Sequence, residues 1–143
     1  MKHWIQAARL RTLPLSVSGI LVGSFYAISQ GLFNWKIVLF ALSTTLGFQI
    51  LSNFANDYGD GVKGTDNEDR IGPKRAIQSG AISPKAMKTA ITITSILTMF
   101  SALLLIYFSF KGKYLMYSII FLILGILMVY QFFVVYDYYS HRI

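Results

Sequence analysis

The sequence predicts an all-α membrane protein of four transmembrane helices. Three observations carry that prediction: 55% of the 143 residues are apolar, only 13% are charged, and mean hydropathy is +0.54. A soluble domain of this size could not keep so much apolar surface out of water. The apolar residues gather into four segments, roughly 12–33, 36–56, 86–110 and 114–136, and about 20 such residues suffice to cross the hydrocarbon core. The chain reads as one domain, 1–143, with a connector at 57–85 between the second and third spans.

Residues 1–11 form an amphipathic lead-in, with Trp4 at interface height and Arg9 and Arg11 within reach of lipid headgroups or an anionic substrate. Headgroup contact is the simpler use. Pro14 stands near the start of the first span, where a missing backbone donor costs little, and Gly19 and Gly23 allow close helix packing. This segment reads as a retained helix, because its apolar stretch is long and Gln30 and Asn34 follow it instead of a small-residue cleavage site. The second span becomes steadily more polar toward its inner end, through Ser43, Thr44, Thr45, Gly47, Gln49 and Ser52. Polar groups at membrane depth face a bundle interior or a water-filled cavity.

The connector combines Gly61, Gly64, Gly72, Pro73, Gly80 and Pro84 with alternating charge, the composition of a solvated loop. Spans three and four, joined by the tight turn Lys111-Gly-Lys113, read as scaffold, with Thr92, Thr94, Ser95 and Thr98 assigned to interhelical packing. The tail from Tyr130 is rich in aromatics, including Tyr136, Tyr138 and Tyr139, and reads as an interfacial belt. His3 and His141 lie at opposite ends of the sequence, without metal-site spacing, and receive no function.

The absence of cysteine excludes disulfides, thiolate catalysis and cysteine-based zinc sites. A net charge of +7 and a pI near 9.7 do not indicate nucleic acid, since Lys and Arg sit between the spans instead of forming one basic face. Ten of them (Lys2, Arg9, Arg11, Lys63, Arg70, Lys74, Arg75, Lys85, Lys88 and Arg142) fall on one side, and Lys36, Lys111 and Lys113 on the other. The positive-inside bias therefore predicts that both termini and the 57–85 connector face the cytoplasm, with the protein in the cytoplasmic (inner) membrane.

Five of the six acids, Asp57, Asp60, Asp66, Glu68 and Asp69, cluster just beyond the second span. At helical pitch Asn53, Asn56, Asp57 and Asp60 share one face about two turns long. Carboxylates and amide carbonyls at a membrane boundary suit Mg²⁺ that itself holds a phosphate-bearing substrate, because Mg²⁺ takes few protein ligands and completes its shell with waters and phosphate oxygens. The bases Lys63, Arg70, Lys74 and Arg75 lie beside these acids, a pairing that a diphosphate would need. The pattern matches neither a calcium loop, a nucleotide-binding loop, a Gly-x-Ser-x-Gly elbow nor a His-Glu-x-x-His helix. Taken by itself, the cluster leaves two readings open: a metal site, or a helix end that is simply polar and wet.

Three stretches carry a resemblance: Arg9-x-Arg11-Thr-Leu-Pro14; Gln49-Ile-Leu-Ser-Asn53-Phe-Ala-Asn56-Asp57-Tyr-Gly-Asp60-Gly-Val-Lys-Gly-Thr-Asp66; and Gly72-Pro-Lys-Arg75-Ala-Ile-Gln-Ser-Gly80. Together they resemble the UbiA superfamily of intramembrane aromatic prenyltransferases, most closely its dihydroxynaphthoate branch in menaquinone biosynthesis. The superfamily motif is Asn-Asp-x-x-Asp-x-x-x-Asp, and this chain has Gly64 where the last Asp falls. In the naphthoate branch the Asp of Lys-Gly-Thr-Asp, here Asp66, takes that part. The resemblance covers about residues 8–85 by motif and the next two helices only by hydropathy.

The resemblance implies that Asn53, Asn56, Asp57, Asp60 and Asp66 hold Mg²⁺ against a polyprenyl diphosphate, with Asp57 and Asp60 central to catalysis. It likewise implies that Lys63, Arg70, Lys74 and Arg75 contact the diphosphate oxygens. Ionisation would leave an allylic cation for the electron-rich ring of 1,4-dihydroxy-2-naphthoate to attack. The implied fold is a nine-helix bundle with a second Asp-rich loop, of which this chain matches the first half. The expectation is thus an inactive chain on its own, from a truncated or frame-shifted gene or from a split enzyme whose second chain supplies the rest. Three alternatives stay open: a small non-catalytic membrane protein, an inactive remnant, or another aromatic prenyltransferase of this type. A phosphatidyl-group transferase would need an Asp-Gly-x-x-Ala-Arg pattern, which the sequence lacks.

Overall fold

The computed structural model describes the backbone of residues 1–63 and 75–140 and the side chains of 1–62 and 75–127. Every regular element in it is helical. A short helix α1 (Lys2–Ala8) leads through a 3-10 turn (Leu10–Thr12) into α2 (Leu13–Ser29); α3 spans Trp35–Lys63, α4 Pro84–Ser109 and α5 Tyr114–Ser140. Among the described residues three stretches are long and apolar enough to cross a membrane, Lys2–Ser29, Trp35–Val62 and Pro84–Ser109, and Tyr114–Leu127 is a shorter apolar helix. This is a multi-pass membrane protein.

Local chemistry sets the helix ends. Asn34 caps α3, its side-chain oxygen accepting the Lys36 N–H at 3.0 Å. Ser83 caps α4 in the same way through the Ala86 N–H at 3.2 Å, with Pro84 in the first helical position, where no donor is missed. After α2 the chain reverses at Gly31, whose φ of 68° only glycine adopts cheaply, and the Leu32 N–H closes back on Ala27 O at 2.9 Å.

The chain divides into two compact units, Met1–Leu105 and Ile106–Ile143. The first buries a small core of Ala7, Ala8, Phe54, Ala76, Ile82 and Met87, with Trp4, Ile50 and Ile91 packed on it. Trp4 meets Phe54 edge-on at 5.7 Å. The seam between α3 and α4 is small and polar: Gly47 lies so close to Thr98 that a Cβ would strike the threonine side chain. One stretch further along, the Thr44 hydroxyl donates to Ser101 Oγ at 3.1 Å and Ser101 Oγ donates to Phe40 O at 3.3 Å. Thr98 thus serves interhelical packing, whereas the Thr92 hydroxyl donates to Lys88 O within its own helix at 3.1 Å. In the second unit Phe110 stacks on Tyr117 at 4.1 Å and Tyr107 meets Tyr114 edge-on across the Gly112 turn. The aromatic tail beyond Leu127 lies outside the described side chains.

One boundary departs from expectation. The sequence predicts a connector from residue 57 while setting Asp57 and Asp60 at helical pitch; α3 continues to Lys63, so both acids and Lys63 are helical. The reason is local: carboxylates on the last turns of a helix leave its backbone ladder intact, and Gly59 and Gly61 lower helix propensity without breaking it. Gly61 is needed where it stands, because a Cβ there would come within 2.8 Å of Ile77 Cβ.

Candidate functional site

The C-terminal end of α3 carries one continuous polar stripe, Gln49, Asn53, Asp57 and Asp60, and tertiary contacts give each member a distinct surrounding. Gln49 faces the start of α2, where its Oε1 accepts the Ser16 hydroxyl at 2.8 Å and its Nε2 reaches Thr12 Oγ1 at 3.5 Å. Asn53 is 5% exposed and donates from Nδ2 to Ala8 O at 2.9 Å, satisfying a carbonyl at the end of α1. Asn56 presents its side chain on the exposed side of the helix.

Asp57 is the more deeply placed of the two acids whose side chains are described, 3% exposed. One oxygen, Oδ2, accepts the backbone N–H of Ala76 at 3.3 Å. The other, Oδ1, is buried without a hydrogen-bond partner among the described residues. Burying an ionised carboxylate oxygen unpaired costs several kcal/mol on the usual scale, so a chain gains nothing in stability from this arrangement. A hard cation is the chemistry that such an oxygen suits. Asp60, one turn on, pairs with the Arg75 guanidinium, which also donates to Asn56 O at 3.0 Å. Arg75 opens a compact turn over residues 75–82, closed by Ser79 N–H to Arg75 O at 2.9 Å and Ile82 N–H to Ala76 O at 3.0 Å. The acids of α3 therefore hold the segment bearing Arg75 directly against themselves.

A cavity of about 480 Å³ opens at this point. Asp57, Arg75 and Ser79 line it together with His3, Arg9 and Arg11. Three guanidinium groups and one carboxylate give the lining a positive balance, fit for a multivalent anion together with a cation. Arg9 reaches this place from an unusual backbone: its φ is 50°, in the left-handed region that side chains seldom adopt. Strain of that kind collects at functional sites. The Thr12 N–H and hydroxyl both donate to Arg9 O, at 2.9 and 2.8 Å, and hold the break.

Of the residues expected from sequence, Asn53, Asn56, Asp57, Asp60 and Arg75 come together here. Lys63 follows on the same helix, its side chain outside the described set, and Asp66, Arg70 and Lys74 lie outside the described residues altogether. Among the described residues no three His, Asp or Glu side chains converge as a ready metal cluster. Asn53, expected as an oxygen ligand, acts here through its nitrogen as a donor to α1. Arg9 and Arg11, read from sequence toward lipid headgroups or an anionic substrate, line the cavity, and His3, given no role, joins them. The two arginines carried a signal in the Arg9-x-Arg11-Thr-Leu-Pro14 stretch, whereas His3 carried none.

A profile described as the UbiA prenyltransferase family matches residues 16–142. Among curated proteins the chain is 48% identical over 103 residues to the 1,4-dihydroxy-2-naphthoate octaprenyltransferase of Escherichia coli (strain K12), covering 72% of this chain and 33% of that protein. It is 44% identical over 115 residues to the Haemophilus influenzae protein of the same name (78% and 37%), and 38% identical over 88 residues to that of Mycobacterium tuberculosis (62% and 30%). The matched segment thus spans about a third of the length of these relatives. No solved structure matches the chain.

Proposed function

The chain belongs to the UbiA prenyltransferase family, and from that premise we propose that it forms the diphosphate-binding part of a 1,4-dihydroxy-2-naphthoate polyprenyltransferase of menaquinone biosynthesis. The observation that carries the reading is the buried, unpartnered Oδ1 of Asp57, a residue that lines one cavity with Arg9, Arg11 and Arg75. Asp57 and Asp60, with Asn56 exposed beside them and Asp66 by motif, would hold Mg²⁺. That cation, when bound, would neutralise charge on the departing diphosphate.

The chain's own residues supply the rest of the setting. Asp57 anchors the 75–82 turn through the Ala76 N–H at Oδ2, which leaves its second oxygen buried and without a partner among the described residues. Arg75 stands between Asn56 O and Asp60, within one turn of Asp57, where a guanidinium can pass from carboxylate to phosphate oxygen without leaving the site. Lys63, Arg70 and Lys74 extend the basic side by sequence. Apolar walls and further helices, on the same chain or on a second one, would exclude water from the reacting carbon.

The test is complementation in cells lacking their own dihydroxynaphthoate prenyltransferase. The chain is expressed together with a separately encoded carboxyl-terminal portion of a complete relative. Menaquinone is expected from the pair and not from either part alone. Production that persists undiminished when Asp57 is changed to Ala overturns the assignment. The proposed orientation, with both termini and 57–85 at the cytoplasmic face of the inner membrane, rests on the ten-to-three Lys/Arg asymmetry. Since the chain has no native Cys, Asn67→Cys gives a clean label site. Reaction of that thiol with an impermeant reagent from outside intact cells would reverse the orientation.

A further inference from the structure

We propose that Asn53 is a positioning residue, not a metal ligand: it docks α1 over the acidic end of α3 and so brings Arg9 and Arg11 into the cavity as contacts for a diphosphate. The inference deepens the reading of this cavity as an anion site and rests on it. Three independent contacts converge on the same joint. Asn53 Nδ2 donates to Ala8 O, Gln49 holds Ser16 and Thr12 just beyond the break, and Trp4 packs edge-on against Phe54, the neighbour of Asn53 in sequence. Ala7 and Ala8 are buried in the core with Phe54 and Ala76, so the last turn of α1 is wedged between α3 and the turn that carries Arg75.

The wedge dictates what Arg9 does. The left-handed residue at position 9 breaks the helix after α1, and the chain passes through the Leu10–Thr12 turn into α2. Both arginines then fall at the break and line the same cavity as Arg75. If Ala8 O were released, α1 could swing from α3 and two of the three guanidinium groups would leave with it. Asn53 thus acts on the substrate at one remove, through the helix it holds.

The two roles of Asn53 make opposite predictions for Asn53→Asp. A carboxylate would serve a metal at least as well as an amide does, but it has no N–H to give Ala8 O and would repel it. In a Trp35→Phe background Trp4 is the sole tryptophan, so its emission reports the docking of α1. The 143-residue chain, in lipid nanodiscs, is titrated with Mg²⁺ alone and then with inorganic pyrophosphate at saturating Mg²⁺. Asn53→Asp is expected to red-shift Trp4 and expose it to quencher, to leave Mg²⁺ affinity unchanged or raised, and to weaken pyrophosphate about 10-fold, the loss of one or two charge-assisted hydrogen bonds. An unmoved Trp4, or a loss of Mg²⁺ affinity with Trp4 in place, overturns the proposal.

Should Asn53→Asp fail to fold, Arg9→Gln with Arg11→Gln decides the matter. The pair is expected to weaken pyrophosphate by a similar factor with Trp4 unmoved, and unchanged pyrophosphate affinity overturns the proposal. Asp57→Asn separates this inference from the reading beneath it. If that change leaves Mg²⁺ affinity intact, the metal site itself is wrong. If it removes Mg²⁺ while Asn53→Asp moves neither Trp4 nor pyrophosphate, only the positioning role fails.

Discussion

The C-terminal end of α3 and the middle of α4 are built on opposite plans. On α3, Asn53 and Asp57 are buried and the helix is tied to its surroundings by directed hydrogen bonds. In the middle of α4, over residues 96–102, Ile96 and Phe100 are 64% and 62% exposed, while the buried positions are Thr98, Ser101 and Ala102. A water-soluble protein would reverse both arrangements. In a bilayer large apolar side chains cost nothing on the outside, helices meet through small and polar residues, and ionisable groups are kept inside for function. α4 presents an exposed apolar face and α3 a polar, acidic one, although the two run side by side.

The sharpest way to break this comparison is to delete one group from each plan. In a full-length context Asp57→Ala is expected to lower prenyl transfer by 10²-fold or more, because a group serving the leaving diphosphate is worth several kcal/mol in the transition state. Ile96→Ala, on the exposed face, is expected to stay within about 2-fold, as a side chain that touches neither site nor core carries no such share. Initial rates with purified variants measure both, and equal losses would dissolve the distinction.

A smaller effect is expected from the glycines. Gly47→Ala drives a methyl into Thr98 and is expected to destabilise the α3–α4 seam by about 1–3 kcal/mol. Gly19→Ala meets nothing within 4 Å and is expected to change stability by less than about 0.5 kcal/mol. Reversible unfolding in mixed micelles compares the two. A Gly47→Ala as benign as Gly19→Ala would mean that the seam is not packed through residue 47.

The smallest effect sharpens the polar side. Gln49→Leu removes the contacts to Ser16 and Thr12 and is expected to cost about 0.6–2 kcal/mol, the range for hydrogen bonds between membrane helices. Ile93→Leu, an isomeric change at an exposed position, is expected to be neutral within error. The same unfolding assay reads both. No measurable loss for Gln49→Leu would show that Ser16 and Thr12 find other partners.

Much of this protein is legible without its tertiary structure. Hydropathy alone separates the apolar segments, because the bilayer admits backbone only in forms that satisfy their own hydrogen bonds, and a run of apolar residues must then be a helix. The acidic face of α3 follows from the spacing of Asn53, Asn56, Asp57 and Asp60, which depends on helical pitch and nothing else. Even the caps at Asn34 and Ser83 are local, since each side chain bonds to an N–H within three residues.

What spacing cannot supply is the difference among residues on one face. Asn53, Asn56, Asp57 and Asp60 look alike in a helical projection, yet one donates to α1, one is exposed, one holds the Ala76 N–H with an oxygen to spare, and one pairs with Arg75. Those assignments depend on partners 15 to 45 residues away in sequence. The same is true of Arg9 and Arg11, whose place in the cavity depends on a left-handed backbone at one residue and on the burial of Ala7 and Ala8 against Phe54. The sequence by itself determined that a polar, acidic ledge ends an apolar helix, because periodicity and desolvation act locally. Only the tertiary structure decided which of its oxygens remains available and which basic groups surround it, because hydrogen bonding and packing between distant segments distribute those partners.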